Sequence, residues 1–216
     1  MGVDATALPR TSTPRPGAGP WRHCLFEGWR LRLLPTVYEP AEDSSLLMRV
    51  LTEVPLPTQG PVVDVCAGSG VVGLSLAGRG AAVVATDSDP QAVATTAANA
   101  AAHGLAGRLQ AVRTDLLRGV RGPLPLVVCN PPYLPTERFE GRSGAVAAWD
   151  GGTGGSVVVR RLLEQALPAL ADGGRLILIL SSLTDLDLAA ATPGRTVRRL
   201  GSVPTFFERI EAWEVR

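Results

Sequence analysis

Two short stretches contain residue types that could do chemistry together. The first is Asp64-Val65-Cys66-Ala67-Gly68-Ser69-Gly70-Val71-Val72-Gly73, a Gly-x-Gly-x-x-Gly run with a carboxylate just ahead of it. Lacking Cβ atoms, Gly68 and Gly70 let a ligand lie directly on a backbone turn beside a helix N-terminus. Otherwise this is a plain strand-to-helix turn. Asp87 lies 23 residues beyond Asp64, where a carboxylate can accept both hydroxyls of a ribose. The second stretch is Asn130-Pro131-Pro132-Tyr133. Consecutive prolines fix φ and withhold two backbone donors, leaving the Asn130 side-chain carbonyl and the Pro131 carbonyl as two acceptors for one planar –NH2. Tyr133 adds an aromatic wall for a flat group. An amide or aryl amine has a delocalised lone pair and is a poor nucleophile. Holding both its protons orients it and stabilises positive charge growing on nitrogen.

Such loops must be presented at one edge of a scaffold. Val62–Val65 is an apolar run suited to a buried strand, and Val71–Ala77 reads as a helix. Strand 81–85 ends at Asp87, and the Ala-rich helix Pro90–His103 is closed by Gly104. Strands follow at Leu109–Thr114 and Leu124–Cys129, then a long loop to Gly155, a helix near 157–170 and a strand Arg175–Leu180. This alternation predicts an α/β, Rossmann-like sheet with helices on both faces. Strands Arg195–Leu200 and Phe206–Val215 are joined by only Gly201–Thr205, too short for a crossover, and so should pair antiparallel. Ahead of the sheet, Trp21–Leu34 is extended with a turn at Gly28, and Asp43-Ser44-Ser45 caps a helix through Leu51. Residues 1–20 read as a disordered tail and 21–216 as a single domain.

Composition narrows the function. In 216 residues, 45% hydrophobic and 19% charged side chains exclude global disorder. A net charge of +1 offers no field for a polyanion. All basic residues apart from histidine are Arg, so no lysine nucleophile exists. Cys24, Cys66 and Cys129 are odd in number and far apart, which argues for a reducing, cytoplasmic compartment and against disulfides or zinc. No apolar run approaches the roughly 18–20 residues of a membrane span. Met1-Gly2 formally fits a myristoylation pattern but has no polybasic stretch behind it. His23 and His103 read as solvated or capping residues, and no metal site can be assembled.

From the glycine loop alone, a nicotinamide dehydrogenase and an S-adenosylmethionine enzyme are rivals. Asp64 would repel a pyrophosphate and attract an ammonium group. A terminal antiparallel pair is also unusual for the dinucleotide fold. Asp115, with Leu116 beside it, either binds an adenine amino group or caps a helix through Leu116-Leu117.

The motifs Asp64-x-x-Ala67-Gly68-Ser69-Gly70, Thr86-Asp87-Ser88-Asp89-Pro90, Thr114-Asp115-Leu116 and Asn130-Pro131-Pro132-Tyr133, in this order, resemble the HemK/PrmC family of class I methyltransferases. That family methylates the glutamine side-chain nitrogen in the Gly-Gly-Gln loop of release factors. Val37-Tyr38-Glu39-Pro40-Ala41-Glu42-Asp43-Ser44 and Ala147-Ala148-Trp149-Asp150-Gly151-Gly152, continuing to Gly155, resemble its short branch acting on eukaryotic and archaeal factors. The resemblance implies a seven-stranded sheet and S-adenosylmethionine as cofactor. It implies that Asp64, Gly68 and Gly70 cradle the methionine part, Asp87 the ribose, and Asp115 with Leu116 the adenine. Asn130 would hold both the substrate and the transfer geometry, touching the cofactor as well, with Pro131 and Tyr133 beside it as the other catalytic candidates. Ser44 stands where the family has a cofactor-contacting Thr. Cys66 replaces the first glycine, narrowing the site. Tyr38-Glu39-Pro40 closes the pocket or is a helix-entry turn; Trp149 and the glycines after it form a lid or a surface loop. Implied partners are a release-factor-like protein and a small zinc-binding activator along a sheet edge, with Leu109–Thr114 the candidate edge. The separate helical domain of longer members is expected to be absent, since only about 40 residues precede the matching region. Adenine-N6 methylation of RNA or DNA is the alternative, because those enzymes share the Asn-Pro-Pro-aromatic loop.

Overall fold

The computed structural model describes residues 20–138 and 149–216, so residues 1–19 of the expected tail, and Ala147 and Ala148, lie outside it. A hairpin of β1 (Arg22–Phe26) and β2 (Trp29–Leu33) comes first, turned by Glu27 and Gly28 at φ 47° and 82°. Helix α1 (Glu42–Thr52) follows. The alternating part then runs β3 (Val62–Val65), α2 (Val71–Gly78), β4 (Val83–Asp87), α3 (Pro90–Ala102), β5 (Leu109–Arg113) and β6 (Leu124–Cys129). It continues through α4 (Val157–Ala169), β7 (Leu170–Ser181), a short α5 (Leu188–Ala191), β8 (Val197–Pro204) and β9 (Arg209–Val215).

Seven strands form one sheet in the order β5-β4-β3-β6-β7-β9-β8, with β9 antiparallel to both neighbours and the β5-to-β7 part parallel. Alternation along the central strands divides the core. Val62, Leu126 and Val128 face α1, α2, α3 and the hairpin, whereas Val63, Val65, Val127 and Cys129 face α4 and α5. The order reverses between β3 and β6, so the loops leaving those two strands flank a crevice, the usual ligand position in open α/β sheets.

The strand expectations hold in number and direction, but β7 starts at Leu170, ahead of the expected Arg175, and further bounds shift at the end of the chain. Strand β8 extends through Gly201–Pro204, which the sequence reading put in the loop, and Phe206 lies outside β9. Two features allow this. Gly201 gives α1 room, since a Cβ there would stand 3.2 Å from Val50 and 3.3 Å from Leu46. Pro204 ends an edge strand, where a missing N–H costs little. Among the described residues, no helix is long and apolar enough to cross a membrane.

Candidate active site

The glycine loop is held by backbone geometry and by α3. Cys66, Gly68 and Gly70 all adopt left-handed φ, at 59°, 54° and 79°. At Gly70 the need is strict: a Cβ would lie 2.8 Å from Thr96 Cγ2. Thr96 Oγ1 donates to the Gly68 carbonyl at 3.2 Å. Asn99 Nδ2 donates to the Ser69 carbonyl at 2.9 Å and to the Arg32 carbonyl at 3.0 Å, tying the loop to the hairpin. Asp87, at the end of β4, accepts from the Gly68 N–H at 3.0 Å and the Asp89 N–H at 2.9 Å. Burial raises the Asp87 carboxyl against these stabilising bonds.

The Asn-Pro-Pro-Tyr loop meets α1 at Asp43, which is 4% exposed. Its Oδ2 accepts from Asn130 Nδ2 at 2.9 Å and from the Tyr133 hydroxyl at 3.3 Å. Its Oδ1 accepts from the Tyr38 hydroxyl at 3.1 Å and the Ser44 N–H at 2.6 Å. Burial, with the Asp43 charge adding to it, pushes both tyrosine hydroxyls far above their ordinary range, so both stay protonated donors. With its nitrogen held, Asn130 keeps one unused acceptor: Oδ1 is buried and accepts no hydrogen bond among the described residues. The expected capping role of Asp43 is corrected here. Helix α1 starts at Glu42 without a side-chain cap, and Asp43 turns its carboxylate inward.

Between these loops lies a cleft of about 400 Å³, lined by Cys66, Gly68, Asp87, Asn130, Pro131 and Tyr133 together with Thr36–Tyr38, Asp43, Ser88, Asp89, Ala92, Pro132, Leu134 and Trp149. Its charged lining residues are Asp43, Asp87 and Asp89, with no Arg or His among them. Three carboxylates and, among the described residues, no cation suit a positively charged ligand and oppose a pyrophosphate.

The family model for the methyltransferase small domain matches residues 37–144. A Methanocaldococcus jannaschii protein, named as a candidate protein N5-glutamine methyltransferase, is 34% identical over 161 residues, covering 74% of this chain and 79% of its own. The release factor glutamine methyltransferase of Deinococcus radiodurans is 36% identical over 203 residues, covering 88% of this chain and 72% of its own. The chain belongs to the HemK/PrmC-like class I methyltransferases. Its fold agrees: in a structure titled as the E. cuniculi Mtq2–Trm112 complex, responsible for methylating the eRF1 termination factor, one chain superposes with a TM-score of 0.60 at 24% identity. That match covers 84% of this chain and 98% of the other.

In this HemK/PrmC-like enzyme the expected site residues divide into three groups. Cys66, Gly68, Asp87, Asn130, Pro131 and Tyr133 meet at the cleft. Asp64, Ser44 and Gly70 lie behind it. Asp64 is 2% exposed and accepts from the Gly73 N–H at 2.8 Å, because β3 points it under the loop towards α2. Burial raises its carboxyl to about 7 despite that bond, with the Asp87 charge adding to the rise. The Ser44 hydroxyl donates to Asp43 Oδ1 at 3.2 Å. Asp115 and Leu116 are not brought to the cleft: Asp115 pairs with Arg161, and a turn with Leu116 at φ 53° replaces the expected helix.

Tyr38 and Trp149 both line the cleft, their rings edge to face at 5.8 Å between centroids. The glycines after Trp149 back the Asn130 loop. A Cβ at Gly151 would stand 2.8 Å from the Pro132 carbonyl oxygen, and one at Gly155 2.2 Å from that of Tyr133. Asp43, Thr96 and Asn99 were missed as positioning residues. Only the short-branch stretch around Tyr38–Ser44 hinted at the first. Burial keeps the Cys129 thiol well above its ordinary value, with the neighbouring Cys66 adding to the rise, so Cys129 is no nucleophile. Among the described residues no cluster of His, Cys, Asp or Glu could hold a metal.

Proposed function

We propose that the cleft binds S-adenosylmethionine and methylates the side-chain nitrogen of a protein glutamine in a Gly-Gly-Gln loop. The observation that carries this is Asn130: its nitrogen is tied to Asp43, and its buried carbonyl is left without a donor. A buried acceptor without a donor is costly, and a primary amide arriving from solvent relieves that cost. The acidic lining and the left-handed turn at Gly68, where a Cβ would meet nothing within 4 Å, fit a ligand carrying sulfonium and ammonium charges. Gly68 and Cys66 would hold its methionine part and Asp87 its ribose hydroxyls. Asp64 acts from behind by bracing the first turn of α2 through the Gly73 N–H. Bound S-adenosylmethionine supplies an electrophilic methyl group.

Asn130 Oδ1 would accept one amide proton and the Pro131 carbonyl the other, fixing the nitrogen's plane. Tyr133 would bear on the flat face of the amide, and both carbonyls stabilise positive charge growing on nitrogen. We take a release-factor-like protein as the acceptor, and the free edge of β5 as the pairing edge for a small zinc-binding activator. The test is incubation with methyl-labelled S-adenosylmethionine and a purified release factor, followed by peptide mapping. Label is expected on the glutamine of Gly-Gly-Gln. Label on adenine of RNA or DNA, with none on glutamine, would overturn the reading.

A further inference from the structure

The most exposed large apolar side chains among the described residues are Phe206 and Phe207, at 99% and 81%, adjacent at the tip between β8 and β9 with ring centroids 6.4 Å apart. Their exposure is not that of a loose end. Thr205 donates to the Glu208 carbonyl through its N–H at 2.8 Å and its hydroxyl at 3.0 Å, and Ser181 donates to the Glu208 carboxylate. The Arg209 N–H donates to Ser182 Oγ at 2.9 Å, and the Ser182 N–H returns to the Arg209 carbonyl at 2.8 Å. Two phenylalanines thus stand in water on a pinned turn, with apolar surface that burial against a partner would remove from water.

The tip adjoins the cleft. Ser181, ending β7, pairs with Ile210 at the start of β9, so the tip rises from the same end of the sheet as Asn130. From there Leu183, 37% exposed, leads back to the site. Its N–H donates to Ser181 Oγ at 2.9 Å, and the next residue, Thr184, donates its hydroxyl to the Tyr133 carbonyl at 2.9 Å. The Glu208 charge is also felt at both Tyr38 and Tyr133. Trp149, 40% exposed, completes an apolar path on the cleft itself.

We infer that Leu183, Phe206 and Phe207 form a docking ledge for the polypeptide flanking the acceptor glutamine, so that substrate choice is made partly outside the cleft. This rests on the glutamine reading above. A pinned aromatic pair with polar neighbours matches the aromatic core and polar rim of protein–protein interfaces. Nucleic acid fits less well. Base stacking needs cations tracking the phosphates, whereas the nearest charges here are Glu208 and an Arg209 already 3.7 Å from Glu211.

The test compares wild type with Phe206→Ser/Phe207→Ser on three acceptors: a full-length release factor, a short Gly-Gly-Gln peptide that fills the cleft alone, and a single-stranded oligonucleotide. With the release factor, KM should rise about tenfold with kcat nearly unchanged, the scale of losing a hot-spot pair. With the peptide, kcat/KM and the affinity for S-adenosylmethionine should not move. Phe206→Leu/Phe207→Leu should recover most of the loss. An unchanged KM for the release factor overturns the ledge and leaves the glutamine reading intact. An equal loss on the peptide also overturns it, since the effect would then lie in the cleft. A wild-type enzyme that labels no glutamine on either acceptor removes the glutamine reading, and the ledge with it. Loss confined to transfer onto a single-stranded oligonucleotide would assign the tip to nucleic acid.

Discussion

The Asp43 carboxylate grips the Asn130 side chain by its nitrogen, at 2.9 Å, and so decides which end of that amide is left without a hydrogen-bond partner among the described residues. An unrestrained asparagine could present either a donor or an acceptor. A carboxylate only accepts, so its partner must offer Nδ2, and Oδ1 is left buried with no donor among the described residues. The same carboxylate collects the Tyr38 and Tyr133 hydroxyls, joining the chain ahead of α1 to the loop after β6 through one charge.

Asp43→Asn keeps the shape but offers only one acceptor oxygen to several donors. Turnover should fall about ten- to a hundredfold as Asn130 loses its fixed orientation. Affinity for S-adenosylmethionine should change much less. Single-turnover label transfer beside cofactor titration separates the two; equal losses in both would argue that Asp43 serves cofactor binding.

Asn130→Ala should lower kcat by about 10²–10³-fold, the scale of removing one preorganised polar contact to the reacting group. Cofactor affinity should stay within a few-fold. A fully active variant would contradict the assigned role.

Cys66→Gly should stabilise the fold by about 1 kcal/mol, because a residue with a Cβ is held there at φ 59°. Denaturant melts of the two proteins measure it. The variant should also bind S-adenosylmethionine at least as well, since Cys66 lines the cleft and the change only widens it.

Asp64 should make stability fall as pH rises. Its carboxyl titrates from 3.8 to about 7 on folding, so between these values the unfolded chain sheds a proton that the folded chain keeps. Each step up in pH then favours unfolding, to a total of a few kcal/mol, and above about pH 7 the effect is constant. In Asp64→Asn this contribution disappears, so its stability relative to wild type should climb between pH 4 and 7. Urea midpoints across that range decide it; parallel curves would mean that Asp64 is ionised throughout.

Much of this molecule was legible along the chain because its signals are local. Val62–Val65 and Leu124–Cys129 are apolar runs that pack on both faces, and their ends coincide with the strands observed. Left-handed φ at Gly68 and Gly70 follows from a tight turn that a Cβ would disfavour. Asp87 and Asn130 sit at strand ends, and parallel strands must deliver their ends to one side of the sheet. The antiparallel ending also followed from the chain alone, since a five-residue link cannot hold a crossover.

What only the tertiary structure decided is which side chains face the same space. Asp43 and Asn130 are 87 residues apart, and nothing in the helix-start pattern Asp43-Ser44-Ser45 distinguishes a cap from a carboxylate turned inward. Packing of α1 against β8 and β9 makes that choice. Asp64 reads as a ligand contact because it precedes the glycines, yet the two-residue alternation of β3 carries it beneath them, against Gly73. Asp115 keeps its motif position but pairs with Arg161, which α4 brings alongside it. Local pattern determines backbone conformation because φ, ψ and burial periodicity are short-range quantities. The direction of a carboxylate depends on which donors the fold carries to it from far along the chain.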